Sequence, residues 1–222
     1  VLLGNVYLFN GELLMASVSR INGFRPVKTI TGAPYNGQAN LYFVPASDSS
    51  VIMVGDAVKL SGDARAATGA PTVTRVSAAT DVAVGIVVGI VFTGVGDLTN
   101  VPPVTNLNTP VYRAASTDRY LLVCDDPNII YETQYAGTSV AAATITANVG
   151  QNGQFVTTAG STSTGASGMQ LDSAGLATTA TLPLKIVGFP NRPDNIPGDT
   201  YFSYYVKLNQ VVYGTGTGST GY

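Results

Sequence analysis

The sequence predicts an all-β protein: a barrel or sandwich with a second, smaller β region and extended arms at the termini. Three observations predict it. Short stretches such as "YFSYYVKL" alternate their faces with period two. Asn-Gly pairs suited to tight hairpin turns recur at Asn10-Gly11, Asn22-Gly23, Asn36-Gly37 and Asn152-Gly153. No long segment places apolar residues at i, i+3, i+4 and i+7 between caps, and the composition leans toward Val, Ile, Thr, Tyr and Gly.

Residues 1–22 read as an N-terminal arm or extension. "VLLGNVYLFNGELLMA" is apolar, but it lacks a basic leading region and is interrupted by Asn5, Asn10 and Glu12, so it does not read as a targeting segment. Leu2, Leu3, Tyr7, Phe9, Leu13 and Leu14 precede the main domain. Two readings stand side by side: an arm that lies on another subunit or adds a strand to it, or one more strand of the barrel's own core.

Residues 23–136 form the main β domain. "VIMVGDAVKLSG" and "DVAVGIVVGIVFTGVG" are apolar runs punctuated by glycine. The second run, Asp81–Gly96, is shorter than the ~20 residues a membrane helix needs. It contains no G-x-G-x-x-G, no following Lys-Ser/Thr and no helix for a phosphate to sit on. It reads as a buried strand, with Val82, Val84, Ile86 and Val88 pointing one way and Ala83, Gly85, Val87 and Gly89 the other. The small residues let another backbone approach. "DPNIIYETQ" sets Ile129, Tyr131 and Thr133 opposite Ile130, Glu132 and Gln134.

Residues 137–213 form the second β region. No charged residue lies between Glu132 and Asp172. Within that span "ATITANV" alternates Ile145, Ala147 and Val149 as a strand does, and "TTAGSTSTGASG" predicts a flexible or interface loop near 157–168. "LPLKIVG" alternates Leu182, Leu184 and Ile186 with Pro183, Lys185 and Val187, the proline marking an edge strand or a strand start. In "YFSYYVKL", Phe202, Tyr204, Val206 and Leu208 share a face. The tail, residues 214–222, reads as a surface strand or arm.

The residue inventory narrows the chemistry. Charged residues make up 11% of the chain with a net charge of −2, against about 25% in an ordinary soluble domain. The basic residues are scattered singly, which argues against nucleic acid. There is no histidine, which removes Ser-His-Asp and Cys-His catalysis and histidine metal sites. Glu12 and Glu132 sit in unrelated segments, and Asp125-Asp126 reads as a turn whose carboxylates cap their own backbone rather than as a catalytic pair. Cys124, inside "YLLVC", reads as a buried reduced thiol. The expectation is a soluble, non-enzymatic protein without cofactor, metal or membrane contact.

Several ordered blocks carry a resemblance. "NGFRPVKTITGAPYNGQANLYFVPASDSSVIMVGDAVKLSG" resembles the start of the tailed-bacteriophage head decoration, or cement, protein family. "VYRAASTDRYLLVCDDPNIIYETQ", "GMQLDS" and "LPLKIVGFPNRPDNIPGDTYFSYYVKLN" resemble its later blocks, so the similarity runs from about Asn22 to Tyr213. The family implies a β-rich, non-catalytic protein, made in the host cytoplasm, that binds the outer face of an assembled capsid and reinforces it. The implied partners are the major capsid protein and copies of the chain itself, as a trimer or dimer. Family members begin near "MASVSR", which would make residues 1–14 an extension. Candidate contact residues are Tyr7, Phe9, Leu13, Leu14, Arg20 and Arg25. Scarce charge and 12 tyrosines suit a buried interface. The alternative, a carbohydrate- or receptor-binding β module, calls for an exposed aromatic platform and a chelating aspartate cluster.

Overall fold

The computed structural model describes residues 17–91, 111–138 and 141–213, together with the backbone of 6–9 and 12–15. The protein is all-β, as its patterning predicts. Val6–Phe9 (β1) and Glu12–Met15 (β2) pair antiparallel, with Phe9 opposite Glu12 and Val6 opposite Met15, as a two-stranded sheet of their own. The Asn10-Gly11 pair expected to form a turn lies outside the described residues. The predicted C-terminal tail, residues 214–222, lies outside the described residues.

The centre of the chain closes into a five-stranded barrel. Its strands are Asn40–Val44 (β4), Ala57–Ala64 (β6), Pro71–Arg75 (β7), Gly85–Val91 (β8) and Arg119–Cys124 (β10), in the order β10-β4-β7-β6-β8. All pairings are antiparallel except the β4–β7 seam, a parallel contact of Phe43 with Thr72. The interior is filled by Tyr42, Val44, Ile52, Val58, Val73, Val84, Val87, Leu121 and Val123. Ile52–Met53 (β5) pairs with Tyr112–Arg113 (β9). Arg113 has no exposed surface and donates to the carbonyl oxygens of Pro45, Asp48, Ser50 and Thr117, binding two loops to one guanidinium.

The run that opens at Asp81 becomes β8, whose pattern departs from simple alternation. A bulge opposite Leu122 and Val123 leaves Val88 out of register. The facing has already reversed at Gly85: Val84 and Val87 fill the barrel, while Ala83 and Ile86 face outward into a second core. Gly85 fulfils the expected role of its small side: a Cβ there would overlap the Cys124 carbonyl and come within 2.7 Å of Val123 Cγ1.

A second sheet lies against the barrel. It comprises Arg25–Thr29 (β3), Ile129–Gln134 (β11), Asn152–Gly153 (β12), Leu184–Gly188 (β15) and Ser203–Leu208 (β16), in the order β12-β15-β16-β11-β3. Phe155–Val156 (β13) and Gln170–Leu171 (β14) form a short ribbon beside it. This topology differs from a division at residue 136, because β3 and β11 pair with strands from beyond it. The barrel and sheet also share one core. Ala57, Val76, Ala83, Ile86 and Cys124 from the barrel segment pack with Ile129, Tyr131, Leu184, Ile186, Phe202, Tyr204, Val206 and Leu208. β16 shows the predicted alternation, and Pro183 sits just before the start of β15. The buried Cys124 thiol is pushed up by burial and receives the Tyr131 hydroxyl at 3.4 Å.

Three local expectations are corrected. "ATITANV" is not a strand: Ala142–Ala147 forms the short helix α1, with Ile145 buried. Residues 145 and 149 share a face in a helix as well as in a strand, and the flanking alanines favour the helix. Asn152-Gly153 is strand β12 rather than a turn, and Asn152 donates its backbone N–H to Ala177 O. The uncharged loop at 157–168 is neither loose nor protruding. Ser161 and Ala166 bridge each other, Ser167 N–H donates to Val54 O, and Ser167 Oγ donates to Asp56 at 2.5 Å. Arg75 pairs with the same Asp56 carboxylate at 3.1 Å and donates to the carbonyls of Thr157 and Thr158.

Two predictions follow from this packing, both read by denaturant unfolding. Gly85→Ala is expected to cost about 2–4 kcal/mol, because the obstruction is backbone. Gly89→Ala meets only the flexible Leu122 side chain, at 3.2 Å, and is expected to cost about 1 kcal/mol or less. Equal losses would disprove the close-approach account. Asp56→Ala is expected to cost about 3–5 kcal/mol by leaving Arg75 and Ser167 unpaired, and a loss below about 1 kcal/mol would contradict the role given to that carboxylate.

Candidate functional site

The inward face of the five-stranded sheet is consumed by the core, so its outward face is what the fold offers to a partner. Strand alternation decides what stands there. In β16 the inward residues are Tyr204, Val206 and Leu208, which leaves Tyr205 and Lys207 outward. The register then sets Lys185 opposite Lys207, Lys207 opposite Ile130, and Ile130 opposite Lys28. Three of the four lysines of the chain thus lie in one row across four strands. Ile130, only 5% exposed, sits between Lys28 and Lys207, whose aliphatic stems suit covering it. Lys28 Nζ stands 5.2 Å from the centre of the Tyr205 ring.

The neighbouring row carries Arg25 opposite Glu132 and Glu132 opposite Tyr205. It leads into a recess of about 70 Å³ whose lining includes Arg20, Arg25, Glu132, Thr133, Arg192 and Asp194. Arg192 pairs with Glu132 at 2.8 Å and with Asp194 at 3.1 Å, and Arg20 pairs with Asp194 at 2.5 Å. The Arg192 guanidinium is held above its ordinary value by these two carboxylates, against the opposing effect of burial. Arg25 makes no ion pair among the described residues. Six of the 11 basic residues of a net acidic chain therefore meet on one face, against Glu132 and Asp194.

The segment behind the N-terminal hairpin is pinned at the same place. Ser17 donates its N–H and hydroxyl to Asp199 at 3.1 and 3.3 Å, and Arg20 N–H donates to Gln134 Oε1 at 2.7 Å. Farther along, Phe24 N–H donates to Gly55 O, where Gly23 and Gly55 approach too closely for a side chain on either.

The candidate contact residues fall into two groups. Tyr7 and Phe9 lie in β1, and Leu13 and Leu14 in β2; the register places Tyr7, Phe9 and Leu14 at positions on one face of the ribbon and Leu13 on the other. Arg20 and Arg25 come together at the recess. Lys28, Glu132, Lys185, Arg192, Asp194, Tyr201 and Lys207 were not singled out in the sequence, because only strand register gathers residues so far apart. The outward half of each strand alternation is the signal that could have found the lysines.

Asp126 caps its own turn as expected, whereas Asp125 instead binds side chains of β4. Asp126 Oδ1 accepts from Asn128 N–H at 2.8 Å, while Asp125 accepts from Tyr42 Oη at 2.7 Å and from Asn40 Nδ2. They line an open recess of about 660 Å³ with Asn40, Tyr42 and Tyr213. Among the described residues no group of three His, Cys, Asp or Glu side chains is placed to hold a metal, and no helix is long and apolar enough to cross a membrane.

The anchor at the recess has a defined pH response. Burial pushes the Asp194 carboxyl up, but Arg192 and Arg20 outweigh it and hold the group below 3.8. A carboxyl lowered in the folded state stabilises the fold above its unfolded value, and that contribution is lost as pH falls through the folded value. The tie is thus expected to persist from neutral pH to about pH 4 and to be released below it. Because the pair is solvent-accessible, its share of global stability is expected to stay under about 1 kcal/mol. Carbon-detected NMR of Asp194 checks this: a midpoint below 3.8 is expected, moving up in Arg192→Gln, and an unshifted midpoint overturns it. No family model matches this sequence, and no curated protein or solved structure matches the chain.

Proposed function

We propose that the protein is a virion structural protein that binds the outer surface of an assembled phage capsid and stabilises it. The observation that carries this reading is the concentration of lysine and arginine on the outward sheet face of a chain whose net charge is −2. Such a face steers and orients an acidic protein surface. The carboxylates already paired inside the recess make it a poor cradle for a phosphate backbone. The hairpin supports the same reading: it pairs as a sheet of its own, and its register puts the apolar Val6, Leu8, Leu13 and Met15 at positions on one face. In this reading the chain acts without catalysis or cofactor, its partners are the major capsid protein and further copies of itself, and its place is the capsid exterior.

A second reading, a glycan-binding module, is favoured by the recess where the exposed Tyr213 stands beside Asn40, Asp125 and Asp126. Tyrosine faces and fixed carboxylates are suited to sugar rings and hydroxyls.

Co-sedimentation with expanded and unexpanded capsids of the encoding phage separates the two. Stoichiometric binding is expected, weakening as salt rises. Lys28→Glu combined with Lys207→Glu is expected to reduce affinity at least ten-fold, and removal of residues 1–14 to lower occupancy. Failure to bind either capsid, with tight binding on a glycan array, would establish the second reading instead.

A further inference from the structure

The recess between the N-terminal segment and β11 has features that the sheet face as a whole does not explain. Its cations outnumber its carboxylates: Arg20, Arg25 and Arg192 against Glu132 and Asp194. The two carboxylates are already engaged by Arg20 and Arg192. Arg25, exposed at the mouth, makes no ion pair among the described residues.

The rim has a different chemistry. Val18 is 59% exposed and Tyr201 43% exposed, and both line the opening. Tyr201 holds a φ of 67°, a left-handed conformation unusual for a tyrosine. Backbone held in such regions clusters at ligand-binding positions. A charged floor within an apolar rim matches an ion pair shielded from water by surrounding contacts, the arrangement of an interface hot spot.

We infer that this recess is a seat for a single carboxylate, supplied by a glutamate or aspartate side chain on the protein surface to which the sheet face docks. The volume of about 70 Å³ suits a carboxylate head. Arg25 supplies the pairing charge, in the side-on geometry that guanidinium and carboxylate favour. Val18 and Tyr201 cover the residues flanking the acid, which is why a protein side chain fits better than a free anion. The inference deepens the proposed function, since it names what the docked surface must present.

The test uses the full chain, isotopically labelled and observed by NMR, with no capsid present. The probes are sodium acetate, sodium chloride at equal ionic strength, and the capped peptides Ac-Val-Glu-Val-NH2 and Ac-Val-Gln-Val-NH2. Saturable shifts confined to residues 18–25, 132–134 and 192–203 are expected with acetate and with the glutamyl peptide, the peptide binding at least ten-fold tighter. Chloride and the glutaminyl peptide are expected to leave these residues unmoved. Arg25→Gln, a change at an exposed position, is expected to remove both responses while the rest of the spectrum is preserved. Absence of any acetate effect beyond that of chloride overturns the seat, as does undiminished binding by Arg25→Gln. Equal affinity for acetate and peptide overturns the assignment to a partner's side chain and leaves a free carboxylate as the ligand. Because the readout contains no capsid, its failure is separable from failure of the capsid reading.

Discussion

A carboxylate without access to water, that of Asp56, is the constraint around which the remainder of the structure is arranged. A buried charge is tolerated only when it is paired and hydrogen-bonded. Asp56 meets this condition by drawing on three parts of the chain: Met53 N–H from its own turn, Arg75 from β7, and Ser167 from the uncharged loop. The backbone around it is bonded to β8 in both directions, through Gly55 N–H to Val87 O and Val87 N–H to Asp56 O. One residue earlier, Gly55 O receives Phe24 N–H from the segment that leads out of the N-terminal hairpin. Barrel, loop and entering segment thus converge within two residues.

The convergence settles what each surface can do. With the loop drawn onto the barrel and the barrel's Ala57, Ile86 and Cys124 turned into the shared core, the sheet has no freedom over which face it buries. Its aromatic side meets the barrel, where Phe202 and Tyr204 pack edge to face at 5.0 Å. The opposite side is left to the residues that strand periodicity puts there, and these are lysines, Tyr205 and Glu132. The basic character of that face is the other half of the same alternation that builds the core.

Much of this was legible in the sequence, and the parts that were not share a cause. The strands β11, β15 and β16 were readable because each buries one face on a single core, so period two survives intact. β8 was readable as a strand but not in its facing, because the alternation reverses at Gly85, leaving Val84 and Ile86 on opposite sides. The Thr/Ser/Gly-rich loop resembled a linker because its anchors, Asp56 and Arg75, lie 111 and 83 residues before their loop partners in the chain. The recess was half visible, in Arg20 and Arg25. Its other members arrive from β11 and from the turn before β16, and no local spacing announces a register that joins sequence positions so distant.

The lysine row has an energetic cost to the free molecule. Like charges directly opposite on neighbouring strands repel, and Lys185 faces Lys207 in that way. Solvent and salt damp this repulsion in the isolated chain, and an acidic surface laid over the row would relieve it further. By linkage, whatever relieves it stabilises the sheet by the same amount that the repulsion contributes to binding. Added salt then acts in opposite senses on the two states, easing the strain of the free sheet while loosening its grip on a partner. Under the proposed function, the protein would be reinforced by the surface it reinforces.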